Sequence, residues 1–302
     1  MHIPDGFLSA PVWATLNVVS LAAVGYQARQ AQREIEETRI PLLGVMGAFV
    51  FAAQMINFPV GPGTSGHLLG GALLAVTLGP AAASVVMTAI LAIQALVFQD
   101  GGVLALGANV FNMAVVGIVA GYLPYHYWGS RSWRQASIFL GGAFSVMAGA
   151  ALAMLQLSLS GVPLNGAIVG ISSGLFLVNA VLEGAITVAV VRGIQAISPR
   201  WIREPAGASN KTLGVLSAAA VLLAVVGVLF ASASPDGLES LAGKAGISGR
   251  ATALLATPFR DYEAQFLSGD WMKKALAGVV GLVVIFATCL LVGRLIARRR
   301  SA

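Results

Sequence analysis

The chain has 302 residues, of which 57% are hydrophobic and only 10% are charged. A soluble domain carries about 25% charged residues, so this composition excludes a water-soluble globular protein. The net charge is +6, but the basic residues lie in short loops between apolar runs, as is typical of membrane proteins. We therefore expect no nucleic-acid partner. The single cysteine, Cys289, excludes an internal disulfide and a cysteine metal cluster.

Continuous apolar runs predict an all-α integral membrane protein in a lipid bilayer, because the strands of a membrane β-barrel alternate apolar and polar residues. We predict a polytopic helical bundle of about seven N-terminal membrane segments, one of them a short hairpin arm, plus two C-terminal spans. Small residues at Gly166, Gly170 and Gly174 predict a helix-packing face. The predicted segments, in chain order, are 9–26, 41–57, 67–79, 80–97, 103–123, 136–157, 166–191, 213–231 and 275–293.

The stretch 67–97 contains the break Leu78-Gly79-Pro80, so it is either one kinked helix or a hairpin with a short first arm. The hairpin places 13 of the 18 Lys and Arg residues in loops on the cytoplasmic side, whereas a single span places 10 there. The positive-inside rule therefore favours the hairpin. It predicts a multi-pass membrane protein with its N-terminus outside and its C-terminus in the cytoplasm.

The chain divides at a basic segment that contains Pro and Ser. We predict a membrane component over 1–200, a cytoplasmic linker over 201–212 and a two-span region over 213–302. The loop 232–274 of this last region would lie outside. It is the only sizeable soluble piece that the sequence predicts.

The chain begins Met-His-Ile-Pro-Asp-Gly, which is unlike a secretory signal peptide. His2 is too large for ordinary removal of the initiator methionine, so we expect a free α-amine on Met1. The α-amine and the His2 amide nitrogen close a five-membered chelate ring on a metal, and the amide nitrogen and His2 Nδ1 close a six-membered ring. Ni²⁺ and Cu²⁺ favour such planar nitrogen sets, which leave one position open for a further imidazole.

Two other histidines are candidates for that position. His126 is predicted in a cytoplasmic loop, on the wrong side of the membrane. His67 is predicted at the outer mouth of the hairpin, on the same side as the N-terminus, and is therefore our candidate for the fourth ligand. Spacing alone leaves open that His2 is only solvated and that His67 caps or packs a helix.

Several polar residues could surround this site. Asp5 could orient His2 or stabilise a turn with Gly6. Ser65 could bond near His67 or cap a helix, and Asn109 could order the N-terminal segment. Glu183 is predicted deep in a span, where an ionisable group is a functional hypothesis; it could pair with Arg192 or contact a partner subunit.

Three segments carry a resemblance to a known family: MHIPDGFL at 1–8, NFPVGPGTSGHLLGG at 57–71 and QDGGVLALGANVFNM at 99–113. They resemble the CbiM/NikM family, the substrate-binding membrane components of cobalt and nickel energy-coupling-factor (ECF) transporters. The segment SPDGLE at 234–239 resembles the small two-span partner of that family (CbiN-like, PDGLE domain), here fused to the main component.

The resemblance implies a bundle into which the N-terminus inserts. It implies a metal ion held square-planar by the Met1 amine, the His2 amide and imidazole, and the His67 imidazole. It also implies a place in the prokaryotic inner (plasma) membrane, with a transmembrane coupling (T) component and two cytoplasmic ATPase subunits as partners. The chain itself has no phosphate-binding loop of the G-x-x-x-x-G-K-[ST] type.

We therefore predict a transport component rather than an enzyme, with no cofactor beyond the transported Ni²⁺ or Co²⁺. The sequence does not choose between nickel and cobalt. The alternative is a secondary metal/proton transporter without ATPase partners, which would need paired ionisable groups near the membrane midplane. An intramembrane metalloenzyme would need an open metal position and a general base, for which four planar nitrogens leave little room.

Overall fold

The computed structural model describes residues 1–130, 132–198 and 210–298. Helices dominate these residues, with one small β-hairpin formed by β1 (Phe58–Gly61) and β2 (Thr64–Gly66). The helices are α1 (Ala10–Glu34), α2 (Ile40–Gln54), α3 (Gly71–Leu78), α4 (Pro80–Ile93), α5 (Leu106–Asn109), α6 (Gly117–Trp128), α7 (Arg134–Leu159), α8 (Gly166–Ile197), α9 (Asn210–Val225), α10 (Gly237–Lys244) and α11 (Asp270–Arg298). Two π-helical stretches, Gln94–Phe98 and Val110–Val116, continue α4 and join α5 to α6.

Six helical stretches of the described chain are long and apolar enough to cross a bilayer. They are Pro80–Phe98, Leu106–Trp128, Arg134–Leu159, Gly166–Ile197, Asn210–Leu229 and Asp270–Ala297. The prediction of an all-α, multi-pass membrane protein is therefore confirmed. The predicted segments also include α1, α2 and α3. Helices α2 and α3 have 15 and 8 residues, fewer than the roughly 20 residues of a full span.

As predicted, the chain breaks at Gly79. This residue has φ +85° and lies between the end of α3 and the first residue of α4, Pro80. Positive φ costs glycine nothing, and proline is well suited to the first position of a helix. Every residue of α3 is buried, so the short arm lies inside the bundle and brings the preceding loop, with His67, into the interior.

The predicted packing face of α8 is wrong for this chain. A Cβ added at Gly166, Gly170 or Gly174 would meet no atom of the described chain within 4 Å. The close contact between α7 and α8 lies further along: a Cβ on Gly142 would lie 2.7 Å from the Cα of Gly184. Spacing identifies small residues on a helix, but it does not say which of them meets a neighbour.

The C-terminal region packs directly on the N-terminal bundle. A Cβ at Gly44 or Gly47 of α2 would contact Phe286 or Cys289 of α11 at 2.8 and 2.9 Å, respectively. The two regions thus share a core. Most of the predicted linker, 201–209, lies outside the described residues. The loop after α9 runs over the end of the bundle that holds the N-terminus, where Asp236 caps α10 with its side chain.

Candidate metal centre

The first residues of the chain are inserted into the bundle. Met1 is 5% exposed and Ile3 is fully buried, although the isolated termini of most domains are mobile. Asn109 holds this segment from both sides, because its Oδ1 accepts from Ile3 N at 2.8 Å and its Nδ2 donates to Ile3 O at 3.0 Å. The Asn109 side chain therefore fixes the backbone of Ile3 through both its N–H and its carbonyl.

Asp5 fixes the same segment at a second point. Its carboxylate accepts from the backbone N–H groups of Val103, Leu104 and Ala105 at 2.8–3.1 Å. Gly102 N also donates to the carbonyl of Ile3 at 2.8 Å. Asp5 therefore ties the N-terminal segment to the 101–105 loop through backbone N–H groups. The carboxylate beside the His2 ring is instead Asp100, whose Oδ2 lies 3.6 Å from His2 Nε2.

His67 follows the β1–β2 hairpin and precedes α3. Two backbone N–H groups just after it, those of Leu69 and Gly70, donate to the two oxygens of Glu183 at 2.7 and 2.8 Å. Glu183 is fully buried in α8. The suggested pairing with Arg192 does not occur, since Arg192 donates to Gln135 instead. The intramembrane carboxylate therefore holds the loop that carries His67.

The N-terminus and His67 meet inside the protein. The α-amine of Met1 lies 2.7 Å from His67 Nε2, although the two residues are 66 positions apart. The His2 and His67 rings lie face to face, with centroids 5.5 Å apart and planes inclined by 24°. His67 Nδ1 lies 3.0 Å from the carbonyl of Leu68. Because a carbonyl only accepts, Nδ1 carries the proton and Nε2 presents its lone pair to the amine.

Both imidazoles are neutral at pH 7. Burial, with the nearby Met1 ammonium, lowers the pKa of His2 to about 3. Burial, the Met1 ammonium and His2 lower the pKa of His67 to about 4. Neutral imidazole is the form that binds metal ions. The structure thus brings together two buried imidazoles in the neutral form that can bind a metal ion.

The C-terminal region contributes a carboxylate that the sequence analysis missed. Asp236 Oδ2 lies 2.6 Å from the Met1 amine and 3.8 Å from His67 Nε2. Its other oxygen accepts from Leu238 N and Glu239 N and so caps α10. Although burial raises it, the Met1 ammonium and His67 hold the pKa of Asp236 well below its ordinary value. The only sequence signal was the PDGLE motif itself, since no spacing rule links residue 236 to residue 1.

Ser65 joins the two regions rather than the His67 ring. Its hydroxyl donates to the carbonyl of Ser234 at 2.7 Å, and its N–H donates to the carbonyl of Pro235 at 2.9 Å. The edge of the small hairpin thus aligns the segment before Asp236. His126, the third histidine, lies on α6, where its ring contacts Tyr122 and Tyr127.

Comparison with known proteins identifies both regions. The family described as "Cobalt uptake substrate-specific transmembrane region" (CbiM) matches residues 2–201. The PDGLE domain matches residues 210–298. The first match ends and the second begins within the predicted linker, and together they span nearly all of the chain.

Relatives with the same two-part layout carry names of nickel transport proteins. A protein of Archaeoglobus fulgidus named as a fused nickel transport protein, NikMN, is 34% identical over 297 residues, covering 95% of this chain and 96% of the relative. The fused nickel transport protein NikMN of Rhodobacter capsulatus is 27% identical, with 95% of each chain covered. A crystal structure of a truncated transition metal transporter matches 65% of this chain and 99% of its own, with a TM-score of 0.58 and 34% identity.

Proposed function

The chain belongs to the CbiM family of cobalt-uptake substrate-specific membrane components, fused to a PDGLE domain, and we propose that it captures a divalent transition-metal ion, Ni²⁺ or Co²⁺, for import. The ion is the transported substrate rather than a cofactor. The observation that carries the proposal is the contact of the buried Met1 amine with the lone pair of His67 Nε2 at 2.7 Å.

We propose four nitrogens as ligands: the Met1 amine, the His2 amide and Nδ1, and His67 Nε2. In a square formed by the two chelate rings, His67 stands next to the amine and opposite the amide. With metal–nitrogen bonds of about 2.0–2.1 Å, neighbouring nitrogens lie about 2.9 Å apart. The amine and His67 Nε2 are already 2.7 Å apart, which supports this arrangement because little movement is needed to admit an ion between them.

Ion capture releases one proton from the Met1 ammonium and one from the His2 amide, because each nitrogen needs a free lone pair to bind the ion. It must also break the contact of the amine with Asp236 or use that carboxylate as an additional oxygen ligand. Either way, the PDGLE domain touches the proposed site directly. We propose that this part of the chain faces the outside of the prokaryotic inner membrane, and that import follows when ATP hydrolysis in two cytoplasmic ATPase subunits, relayed by a transmembrane coupling component, reorients this component.

The first experiment measures metal stoichiometry by mass spectrometry on the purified full chain after exposure to equal Ni²⁺ and Co²⁺. We expect about one ion per native chain, and the preferred ion names the substrate. His67→Ala should lower the nickel affinity more than ~100-fold, because the loss of a ligand costs more than the loss of a residue that only contacts a ligand, which costs about 10–100-fold. His126→Ala, on α6, is the matched control and should bind as the native chain does.

A His67→Ala variant that binds one ion with native affinity would overturn the site. Coupling to ATP is tested separately, by uptake of radioactive nickel into cells with and without the coupling and ATPase subunits. Uptake that continues unchanged without those subunits would favour the secondary transporter instead.

A further inference from the structure

We infer that Tyr262, in the C-terminal region, is a positioning residue for the metal ligand His2 and acts on it through Asp100. The inference rests on the proposed function, since it concerns how the same site is built. It gives the fused C-terminal region a specific task at the site, separate from the contact that Asp236 makes with the Met1 amine.

The contacts form a chain from Tyr262 to the His2 ring. The Tyr262 hydroxyl donates to Asp100 Oδ2 at 2.5 Å. The same oxygen faces His2 Nε2 at 3.6 Å. His2 Nε2 is buried and makes no hydrogen bond within the described chain. A buried ring nitrogen without a partner is costly, so a small movement of the ring or the carboxylate would be favourable.

Metal binding supplies the reason for that movement. When Nδ1 of His2 binds the ion, its proton is carried by Nε2, and a ligating imidazole usually donates this proton to a carboxylate or a carbonyl. Asp100 is the carboxylate in place to accept it. The hydrogen bond from the Tyr262 hydroxyl holds the Asp100 carboxylate in this orientation, facing His2. Loss of contacts of this kind typically weakens metal binding 10–100-fold.

Backbone strain marks the same place. The described non-glycine residues with positive φ are Gln99 at 55°, Asp261 at 54° and Tyr262 at 58°. Gln99 immediately precedes Asp100, and Asp261 immediately precedes Tyr262. The three residues therefore lie at or beside the two partners of the hydrogen bond between Tyr262 and Asp100. Left-handed backbone costs such residues free energy and persists where the surrounding contacts require it. Here it presents the tyrosine and the aspartate to each other.

The ring of Tyr262 is held independently of its hydroxyl. It stacks on Phe98, with centroids 4.9 Å apart and an interplanar angle of 16°, and it contacts Phe51 at 6.0 Å. Phe98 and Phe51 are fully buried. Tyr262→Phe therefore keeps the ring packing and removes only the hydrogen bonds of the hydroxyl, so it tests those hydrogen bonds alone.

A second arm connects Tyr262 to the loop of His67. Gln94 Nε2 donates to the Tyr262 hydroxyl at 3.0 Å and to Gln54 Oε1 at 2.8 Å. Gln54 Nε2 then donates to the carbonyl of Leu69 at 2.8 Å, two residues after His67. One hydroxyl group of the C-terminal region thus contacts polar chains that lead to both histidine ligands.

The test compares four full-length chains in detergent: native, Tyr262→Phe, Asp100→Asn and the double variant. Tyr26→Phe is the matched control, because the hydroxyl of exposed Tyr26 only accepts a surface hydrogen bond from Gln30. Nickel affinity is measured by competition with a chromogenic chelator, at a temperature at which every chain remains folded. The d–d absorption band of bound Ni²⁺ is recorded as well, because a weaker imidazole donor moves it to longer wavelength.

We expect Tyr262→Phe to weaken nickel binding about 10-fold and to shift the absorption band, with Tyr26→Phe at native values. The double variant should bind like Asp100→Asn alone, because Tyr262 acts through Asp100. Native affinity and an unshifted band in Tyr262→Phe would overturn the inference, as would losses that multiply in the double variant. A native chain that binds neither Ni²⁺ nor Co²⁺ would instead reject the proposed function and this inference with it.

Discussion

Lengthening the N-terminus by two glycines tests the most unusual feature of the site, a backbone amine as a metal ligand. Met1 is 5% exposed, and its amine contacts His67 Nε2 at 2.7 Å and Asp236 Oδ2 at 2.6 Å. The cavity whose walls include these three residues has a volume of about 10 Å³, close to the least that holds one water molecule. Each added residue extends the chain by about 3.6 Å, so two glycines have no space there.

The extension also changes the donor atoms. The nitrogen of Met1 becomes an amide, and the new amine lies up to about 7 Å further along the chain. We expect the N-terminal segment to leave the site and nickel affinity to fall more than ~100-fold, beyond the effect of a lost outer contact. Two residues are used because a single one would create an Xaa-Met-His terminus. That sequence offers Ni²⁺ an amine, two amides and an imidazole of its own.

The assay is a nickel titration of purified chains, with metal content measured by mass spectrometry. A gene that encodes Met-Gly-Gly before Met1 yields the extended chain, because the initiator methionine before glycine is removed; the intact mass verifies this. The control carries the same two glycines after Ala302. The reasoning fails if the extended chain holds one ion with native affinity, because the amine would then not be a ligand.

Three further changes follow from the contacts around the site. Gly102→Ala places a Cβ 2.2–2.4 Å from atoms of Asp5, so we expect the free energy of unfolding to fall by about 1–3 kcal/mol and nickel to bind more weakly. The control Gly170→Ala has open space around it and should match the native chain in thermal unfolding and in nickel titration. Glu183→Gln leaves one of two buried N–H groups facing an amide NH₂, so the free energy of unfolding should fall by about 1–3 kcal/mol and nickel should bind more weakly; unchanged denaturation curves and titrations would contradict this. Asp236→Ala breaks a buried ion pair, so chemical denaturation of the metal-free chain should show a free energy of unfolding lower by about 3–5 kcal/mol. The control Lys274→Ala breaks an exposed pair and should lower it by less than about 1 kcal/mol. An equal loss in both variants would refute the burial argument.

Local signals in the sequence predicted much of the architecture. The break at Gly79 was readable because the residue before a proline avoids the α-helical conformation and glycine tolerates positive φ, and the structure places φ +85° there. The membrane class followed from composition, and the family followed from motifs that the matched regions confirm. The placement of Met1, His2 and His67 as ligands stays a prediction, supported by the geometry and tested by the experiments above.

Partners of the ligands were harder to predict. Glu183 was noticed as an unusual buried carboxylate, but its bonds to Leu69 and Gly70 depend on how α8 packs against the loop. The small-residue face at 166–174 was misassigned for the same reason, since periodicity defines a face and packing decides its neighbour.

What the sequence alone determined is whatever depends on the solvent and on neighbouring residues: a bilayer protein, the helix break, and a Met-His terminus whose nitrogens are spaced to close two chelate rings on a metal. What the tertiary structure decided is which distant groups share one buried volume. The distant groups are Asp236, Asp100 and Tyr262, which lie 98 to 261 positions from the first two residues. Two contacts, that of Asp236 with Met1 and that of Tyr262 with Asp100, form only when the C-terminal helices pack on α2 and carry their loop over the N-terminus. Such contacts depend on burial and shape across the whole bundle, for which the linear sequence has no local signal.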